Sequence, residues 1–273
     1  MRKKSYLCSM NFKSNTNMKK CLFLFSLLLV FFSCNQPIDD YPEPVVGSYA
    51  YGADCSWISE QEADGVLFYD SLGQAADGLR VMREAGMNSV RLRVWVNHSP
   101  GWCNKEDVIS KAKRAVALKL RVMIDFHYSD FFADPSRQNI PVDWADYDLA
   151  QMKQAVVDHT TDVLSALKAE GVTPEWIQVG NETRNGMLWP MGQLWNTSGD
   201  LPNGWKNYAA LTTSGYDACK AIFPDAQVIV HIDNAYENNN WFFRKLKQNG
   251  GKFDMIGLSH YPMMKQWSGK DWD

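Results

Sequence analysis

Short apolar runs and amphipathic stretches alternate six times along this chain, and that rhythm constrains the fold more than any other feature. Residues 47–54, 89–96, 120–127, 176–180, 226–231 and 253–259 read as strands, each rich in Val, Ile, Leu or aromatic residues and closed by polar or turn-forming ones. Between them apolar residues recur three and four apart, the spacing of one helix face. The series are Ala75, Leu79 and Met82, closed by Gly86; Val108, Ala112 and Ala115; Leu149, Met152, Val156, Val163 and Leu167, running to Gly171; Tyr208, Leu211, Gly215, Ala218 and Ile222; and Trp241, Phe242 and Leu246. A strand–helix rhythm of about forty residues per unit implies parallel strands. Every predicted strand ends in a polar or aromatic residue: Asp54, Trp95, His127, Glu182, His231 and Tyr261. An open doubly wound sheet gathers its ligands at one switch point and often carries a glycine-rich phosphate loop, which this sequence lacks. The expectation is therefore an α/β TIM (β/α)8 barrel, incomplete, with about six of its eight units present.

The fourth strand carries the strongest chemical signal. Ile177 and Val179 alternate with Gln178 until Gly180, and Asn181-Glu182 then stands where strand becomes loop. In a β/α barrel a carboxylate at that end is a candidate acid, base or nucleophile, and Asn181 beside it can hydrogen-bond a sugar hydroxyl. The alternative is that Asn-Glu merely opens a loop. In the second strand Arg91, Arg93 and Trp95 share one face, while Val90, Leu92, Val94 and Val96 share the other. Two guanidiniums pointing into a barrel interior are costly unless paired, so carboxylate partners are expected for both; an exposed edge strand is the alternative. Asp125, His127 and Asp130 could be read as metal ligands, but no His-x-His strand exists among the five histidines and no metal is expected. The aromatic, proline-broken stretch from Phe131 to Trp144 reads as a binding loop, and eleven tryptophans, several in predicted loops, suggest a stacking surface.

The N-terminus reads as a targeting segment. Met18-Lys19-Lys20 precedes an apolar run from Cys21 to Phe32, too short for a stable membrane span, so residues 1–33 are expected to be a signal peptide, with Met18 an alternative start. Val30-Phe31-Phe32-Ser33-Cys34 resembles a loose bacterial lipobox in which Cys34 is lipidated, an ordinary cleaved signal being the alternative. Residues 34–47 are a Pro-rich acidic tether, and residues 48–273 the partial barrel. The expected location is the bacterial outer membrane, periplasmic or surface-exposed, held through a lipid anchor. Removing the six Lys and Arg that precede Cys34 from the total of 28 leaves 22 against 31 acidic residues, a net charge of −9, which disfavours a nucleic-acid partner. Cys55, Cys103 and Cys219 then remain, an odd set that implies neither a disulfide framework nor a metal site.

Taken in order, Gly52-Ala53-Asp54, the stretch from Val90 to Asn97, Asp125-Phe126-His127-Tyr128-Ser129-Asp130 with Ala133-Asp134-Pro135, Gln178-Val179-Gly180-Asn181-Glu182 with Gly186-Met187-Leu188-Trp189-Pro190, and Ile256-Gly257-Leu258-Ser259-His260-Tyr261-Pro262 resemble glycoside hydrolase family 53. These are the arabinogalactan endo-β-1,4-galactanases of the retaining barrel clan. The likeness runs from about Tyr49 to the C-terminus and departs at Cys55 and at Thr183-Arg184. It implies a barrel that cleaves β-1,4-galactan, the side chain of pectin, with retention. It further implies Glu182 as general acid/base, Asn181 as partner of the sugar 2-hydroxyl, Arg91 or Arg93 beside the nucleophile, and Tyr261 touching it. Trp95, His127 and Trp189 would line the groove, with Asp54 and His231 completing the substrate-binding set. A retaining glycosidase needs two carboxylates about 5–5.5 Å apart. In this clan the second is a Glu closing strand seven, whereas Pro262 to Asp273 hold Asp271 and Asp273 but no Glu. The nucleophile is thus expected outside this chain, which reads as truncated, inactive alone, open-edged at strands one and six, and prone to self-association. The expected ligand is β-1,4-galactan or a galacto-oligosaccharide, with no cofactor; calcium, carried by later loops in some members, cannot be inferred from these residues. A non-catalytic galactan-binding lipoprotein, or a related enzyme acting on mannan or glucan, remain the alternatives.

Overall fold

The computed structural model describes residues 41–235 and 237–261. The expected signal peptide, Cys34 and the residues after Tyr261 lie outside the described residues. Strands β1 (Gly52–Asp54), β2 (Ser89–Val94), β3 (Arg121–Phe126), β4 (Trp176–Val179), β5 (Gln227–Ile232) and β6 (Met255–Leu258) lie side by side in chain order, every neighbouring pair parallel. Parallel neighbours require crossovers. These are α1 (Ile58–Ala63) and α2 (Gly78–Glu84) after β1, then α3 (Lys105–Ala117), α4 (Leu149–Ala169), α5 (Gly204–Ile222) and α6 (Asn240–Gln248). This is the incomplete TIM barrel that the alternation predicts. Among the described residues β1 pairs only with β2 and β6 only with β5, so each leaves one edge open, and Met255, Ile256 and Leu258 on β6 are exposed.

Alternation along each strand separates two faces. Val90, Leu92 and Val94, Val122, Ile124 and Phe126, Ile177 and Val179, and Val228, Val230 and Ile232 are all buried on the face that packs against helices. Each such side chain contributes roughly 1.5–3 kcal/mol by leaving water. Helix α5 approaches closely because it presents Gly215 to β4, where a Cβ would meet Val179 Cγ1 at 2.8 Å and the Tyr128 hydroxyl at 2.9 Å. The opposite face is polar, and register sets its residues in a row: Arg93 stands beside Asp125, and Asp125 beside Gln178.

Helices α3 and α4 begin where side chains replace missing backbone partners. Asn104 accepts from the Asp107 N–H (2.9 Å), and Asp148 forms a reciprocal capping box with Gln151. Two of the boundaries that differ from the sequence expectation have a local cause. Ala75, expected on a helix, lies in a two-residue antiparallel ribbon with Phe68–Tyr69, because Asp77 caps α2 through the Arg80 N–H and holds its start at Gly78. Strand β1 spans Gly52–Asp54 rather than 47–54, because the Asn88 amide takes the Tyr51 N–H (2.8 Å) and donates to Tyr49 O (2.9 Å), standing in for ladder bonds. Trp95 lies just past β2, its N–H given to Cys103 O (2.8 Å).

Candidate active site

The polar face becomes a site at the C-terminal ends of β1 to β6. Arg91 reaches from β2 across the interior: Nη1 pairs with Asp54 Oδ2 (2.7 Å), while Nη2 pairs with Asp125 Oδ2 (2.7 Å) and donates to Asn181 Oδ1 (2.8 Å) and Gln178 Oε1 (3.2 Å). Asp125 is wholly buried, which opposes its ionisation, yet Arg91 and His127 together hold its carboxyl below the usual range. Gln178 donates to Asp125 Oδ1 (2.5 Å) and Gly180 O (2.8 Å), so one guanidinium, one carboxylate and two amides lock one another's orientation. β2 is a central strand, not an edge, and Arg91 has the carboxylate partners expected of it.

Glu182 sits just beyond this cluster in a left-handed backbone conformation (φ 49°) that non-glycine residues seldom adopt. Gly180 (φ +83°) makes the turn out of β4; a Cβ there would meet Thr183 Cγ2 at 2.5 Å. The turn aims the Glu182 carboxyl at β6, where Oε1 lies 2.5 Å from Ser259 Oγ. His231 stands behind: Nε2 is 3.0 Å from Ser259 Oγ, and Nδ1 is 3.0 Å from Asn181 Oδ1 and 3.3 Å from the Glu182 N–H. Burial raises the Glu182 carboxyl above its ordinary value; the Ser259 hydrogen bond opposes this, Asp233 and Asp134 reinforce it by their charge, and Arg91 opposes it. A carboxyl so placed keeps its proton to a higher pH than a solvated one and can deliver it in a half-dry setting. Burial and the neighbouring Glu182 charge likewise push the Tyr261 hydroxyl up. The cavity around these groups measures about 730 Å³ and is lined by Asp54, Arg91, Phe132, Asn181, Glu182 and Tyr261 among others. A larger space of about 930 Å³ reaches the N-terminal ends of the strands, where Arg121 and Glu175 are already paired to each other (2.5 Å).

Several expected site residues stand elsewhere. Arg93 has no carboxylate partner among the described residues. Its guanidinium instead lies over Trp57, Trp95 and Phe132, 4.3, 4.6 and 4.9 Å from the ring centres, and Nη2 touches Cys103 Sγ (3.5 Å). Aromatic faces replace the missing anion because the rings of three loops close over the strand end. Trp95 is 0% exposed and cannot offer a face to a groove; Phe131, 50% exposed, stacks on it at 5.2 Å, and Trp57 is 39% exposed. His127, 2% exposed, is also interior: Nε2 donates to Asp125 Oδ2 (2.9 Å) and Nδ1 accepts the Ala133 N–H (3.0 Å). Trp189 is outside the described lining of the Glu182 cavity and donates its indole N–H to Asn185 O (2.8 Å). Asp125 and His127, weighed as metal ligands, are spent on each other, and Asp130 binds the N–H groups of Asn97 and Val142. Sequence reasoning placed Phe132 only within a binding loop, and gave Ser259 and Gln178 no role. Gln178 carried a signal, a polar residue alone in an apolar strand, and Ser259 shared the strand-end position credited to Tyr261.

The chain was compared with known proteins. Residues 50–272 match the model of glycosyl hydrolase family 53. A probable arabinogalactan endo-beta-1,4-galactanase A from Neosartorya fischeri is 34% identical over 225 residues, covering 79% of this chain and 61% of that protein. An arabinogalactan endo-beta-1,4-galactanase from Cellvibrio japonicus is 34% identical over 259 residues, covering 92% of this chain and 65% of that protein. A solved fungal beta-1,4-galactanase structure superimposes with a TM-score of 0.71 at 34% identity, covering 78% of this chain and 64% of its own. The chain thus spans between 61% and 65% of the length of these two curated relatives, and its six-stranded parallel sheet, its strand-end carboxyl and the match across residues 50–272 agree: it belongs to glycosyl hydrolase family 53.

Proposed function

We propose that the protein is a retaining endo-β-1,4-galactanase acting on the galactan side chains of pectin, with Glu182 as its general acid/base. The observation that carries the reading is Glu182 itself, a half-buried carboxyl with a raised pKa, turned out of β4 into an open cavity and braced by Ser259. The names of the Neosartorya fischeri and Cellvibrio japonicus relatives support the substrate. In the first step Glu182 gives its proton to the glycosidic oxygen as that bond breaks, while a second carboxylate attacks the anomeric carbon. In the second step Glu182, now ionised, takes a proton from the water that displaces the glycosyl ester. The second carboxylate is assigned to a seventh strand of the whole barrel; Asp54 at the present cavity is committed to Arg91. Asn181 meets the sugar 2-hydroxyl, and exposed Phe131 and Trp57 offer rings to the apolar faces of sugars in place of Trp95.

Glu182→Ala is expected to cut hydrolysis of unactivated galactan by about 10²–10⁴-fold while leaving oligosaccharide binding intact. Unchanged turnover on polymer would remove Glu182 from the role. Export and outer-membrane anchoring through Cys34 belong to the same proposal and rest on residues 18–34 alone. Palmitate labelling of the protein in its host, abolished by Cys34→Ser, checks this, and persistent labelling of the variant would refute it.

A further inference from the structure

Two histidines serve this site, His127 buried and His231 half-buried, and their nitrogens meet different kinds of partner. At His127 the roles are fixed: Asp125 can only accept and the Ala133 N–H can only donate, so the hydrogen stays on Nε2. At His231 they are not. Its Nε2 faces the Ser259 hydroxyl, which donates or accepts (3.0 Å), and its Nδ1 lies between an acceptor, Asn181 Oδ1 (3.0 Å), and a donor, the Glu182 N–H (3.3 Å). The Asn181 amide cannot flip to suit, because Oδ1 takes a hydrogen from Arg91 (2.8 Å) and Nδ2 gives one to Ala133 O (2.7 Å). Gln178 Nε2, 3.2 Å from Nδ1, has both its hydrogens committed to Asp125 and Gly180 O.

Ser259 Oγ and Glu182 Oε1 are 2.5 Å apart, so one hydrogen lies between them, and its owner decides everything behind it. With Glu182 ionised, Ser259 donates to it, His231 donates Nε2–H to Ser259, and the bare Nδ1 accepts the Glu182 N–H. With Glu182 protonated, the carboxyl donates to Ser259, Ser259 donates to Nε2, and the imidazole hydrogen sits on Nδ1, given to Asn181 Oδ1. Along the Glu182–Ser259–His231 chain each arrangement places one hydrogen in each contact, and any mixture sets two lone pairs or two hydrogens against each other; at Nδ1 each arrangement satisfies one of the two neighbours, the Glu182 N–H in the first and Asn181 Oδ1 in the second.

We propose that Glu182, Ser259 and His231 form a tautomer relay in which the protonation state of the acid/base decides which His231 nitrogen carries the hydrogen, and thereby whether Asn181 Oδ1 is engaged from behind. The inference rests on Glu182 being the acid/base and deepens that reading. When Glu182 gives up its proton, the Ser259 hydrogen turns to the carboxylate, and His231 loses its Nδ1 hydrogen to water and takes one from water at Nε2, so the three groups lose one proton in all and the imidazole stays neutral. Asn181 Oδ1 then loses its hydrogen from behind and keeps those of Arg91 (2.8 Å) and Gln178 (3.4 Å), which makes it the better acceptor for a sugar hydroxyl at the step where such contacts strengthen. His231 and Ser259 act through Glu182 and Asn181 and are positioning residues. The charged and titratable groups facing His231 are Arg91 on β2, Asp125 on β3 and His127 just past it; those facing Glu182 are Arg91, Asp134, Asp233 beyond β5, and Tyr261 beyond β6. Burial and the Arg91 charge push the His231 imidazole down to about 4, so it is neutral where Glu182 titrates, and a tautomer change is available to it there.

The test is 15N NMR of the whole chain labelled in histidine, followed against pH without substrate, beside 13C detection of the Glu182 carboxyl. The expected result is that the pyrrole-like signal of His231 moves from Nδ1 at low pH to Nε2 at high pH with the midpoint of Glu182, while His127 keeps Nε2–H throughout. Glu182→Gln and Ser259→Ala should each leave the His231 tautomer independent of pH above 5, and Ser259→Thr, which keeps the hydroxyl, should restore the change. A His231 tautomer that stays fixed while the wild-type Glu182 carboxyl titrates would overturn the relay, as would a change that survives in Ser259→Ala. Because no substrate is used, loss of the relay leaves the galactanase reading standing, and absence of galactan cleavage leaves the relay standing.

Discussion

Arg91 and Arg93 lie two residues apart on one face of one strand, and they are held by opposite physics. Arg91 sits between two carboxylates and two amide oxygens. Arg93 is the more buried of the two, with no carboxylate paired to it among the described residues, three aromatic rings over its guanidinium, and an Nε without a hydrogen-bond partner. The difference lies in where each guanidinium goes. Arg91, in register with Met123, reaches across the interior to Asp54, Asp125 and Gln178, whereas Arg93, although in register with Asp125, turns to the strand end, where loops bring rings rather than carboxylates. A buried charge held by ions organises its neighbours, and one held by rings is organised by them.

The contrast can be broken most strongly at Arg91. Arg91→Met leaves Asp125 buried without its main cation and frees Asn181 and Gln178, and is expected to cost about 3–5 kcal/mol in urea unfolding. A loss below about 1 kcal/mol would show that the cluster is not held by that charge.

The pH dependence should differ between the two in the same sense. The Asp125 carboxyl is lower in the folded protein than in the unfolded chain, so its contribution is present above the unfolded pKa of about 3.9 and is lost as pH falls through the folded value. Urea midpoints of the wild type should therefore hold as pH drops to about 4 and fall below it. In Arg91→Met burial is left dominant and the folded pKa rises, so protonation of Asp125 no longer favours the unfolded chain and the acid loss should shrink or reverse; in Arg93→Met the profile should match the wild type. Identical acid limbs in all three would contradict the assignment.

Arg93→Met exchanges a ring-stacked cation for an apolar chain of similar length, and is expected to change stability by less than about 2 kcal/mol in either direction. A loss as large as that of Arg91→Met would mean that the rings hold the charge as firmly as carboxylates do. The smallest effect is expected at Trp57→Leu, which removes one exposed ring: about 0.5–1 kcal/mol by urea unfolding, with no change in the acid limb.

Most of the barrel was legible in the sequence because its cause is local. Apolar alternation at Ser89–Val94 and Arg121–Phe126, and helical spacing on α3 to α5, are set by neighbours in the chain. The errors fell where a single side chain moved a boundary, as Asn88 does for β1 and Asp77 for α2. In the site, the positions of Glu182 and Asn181 could be read because strand ends are where barrels place chemistry. The surroundings could not. That Trp95 is covered by Phe131, that Arg93 faces rings, and that Ser259 rather than a charged group meets Glu182 depend on loops and strands far apart in sequence, whose meeting no periodicity encodes.

The most direct measurement is reducing-end release from β-1,4-galactan, with β-1,4-mannan and cellulose as controls, by the protein as its host produces it and by its Glu182→Ala variant. We expect galactan to be cleaved, the controls to be left largely intact, and the variant to be reduced by about 10²–10⁴-fold. Equal turnover by the variant, or a preference for mannan or cellulose, would contradict the assignment of Glu182 or of the substrate.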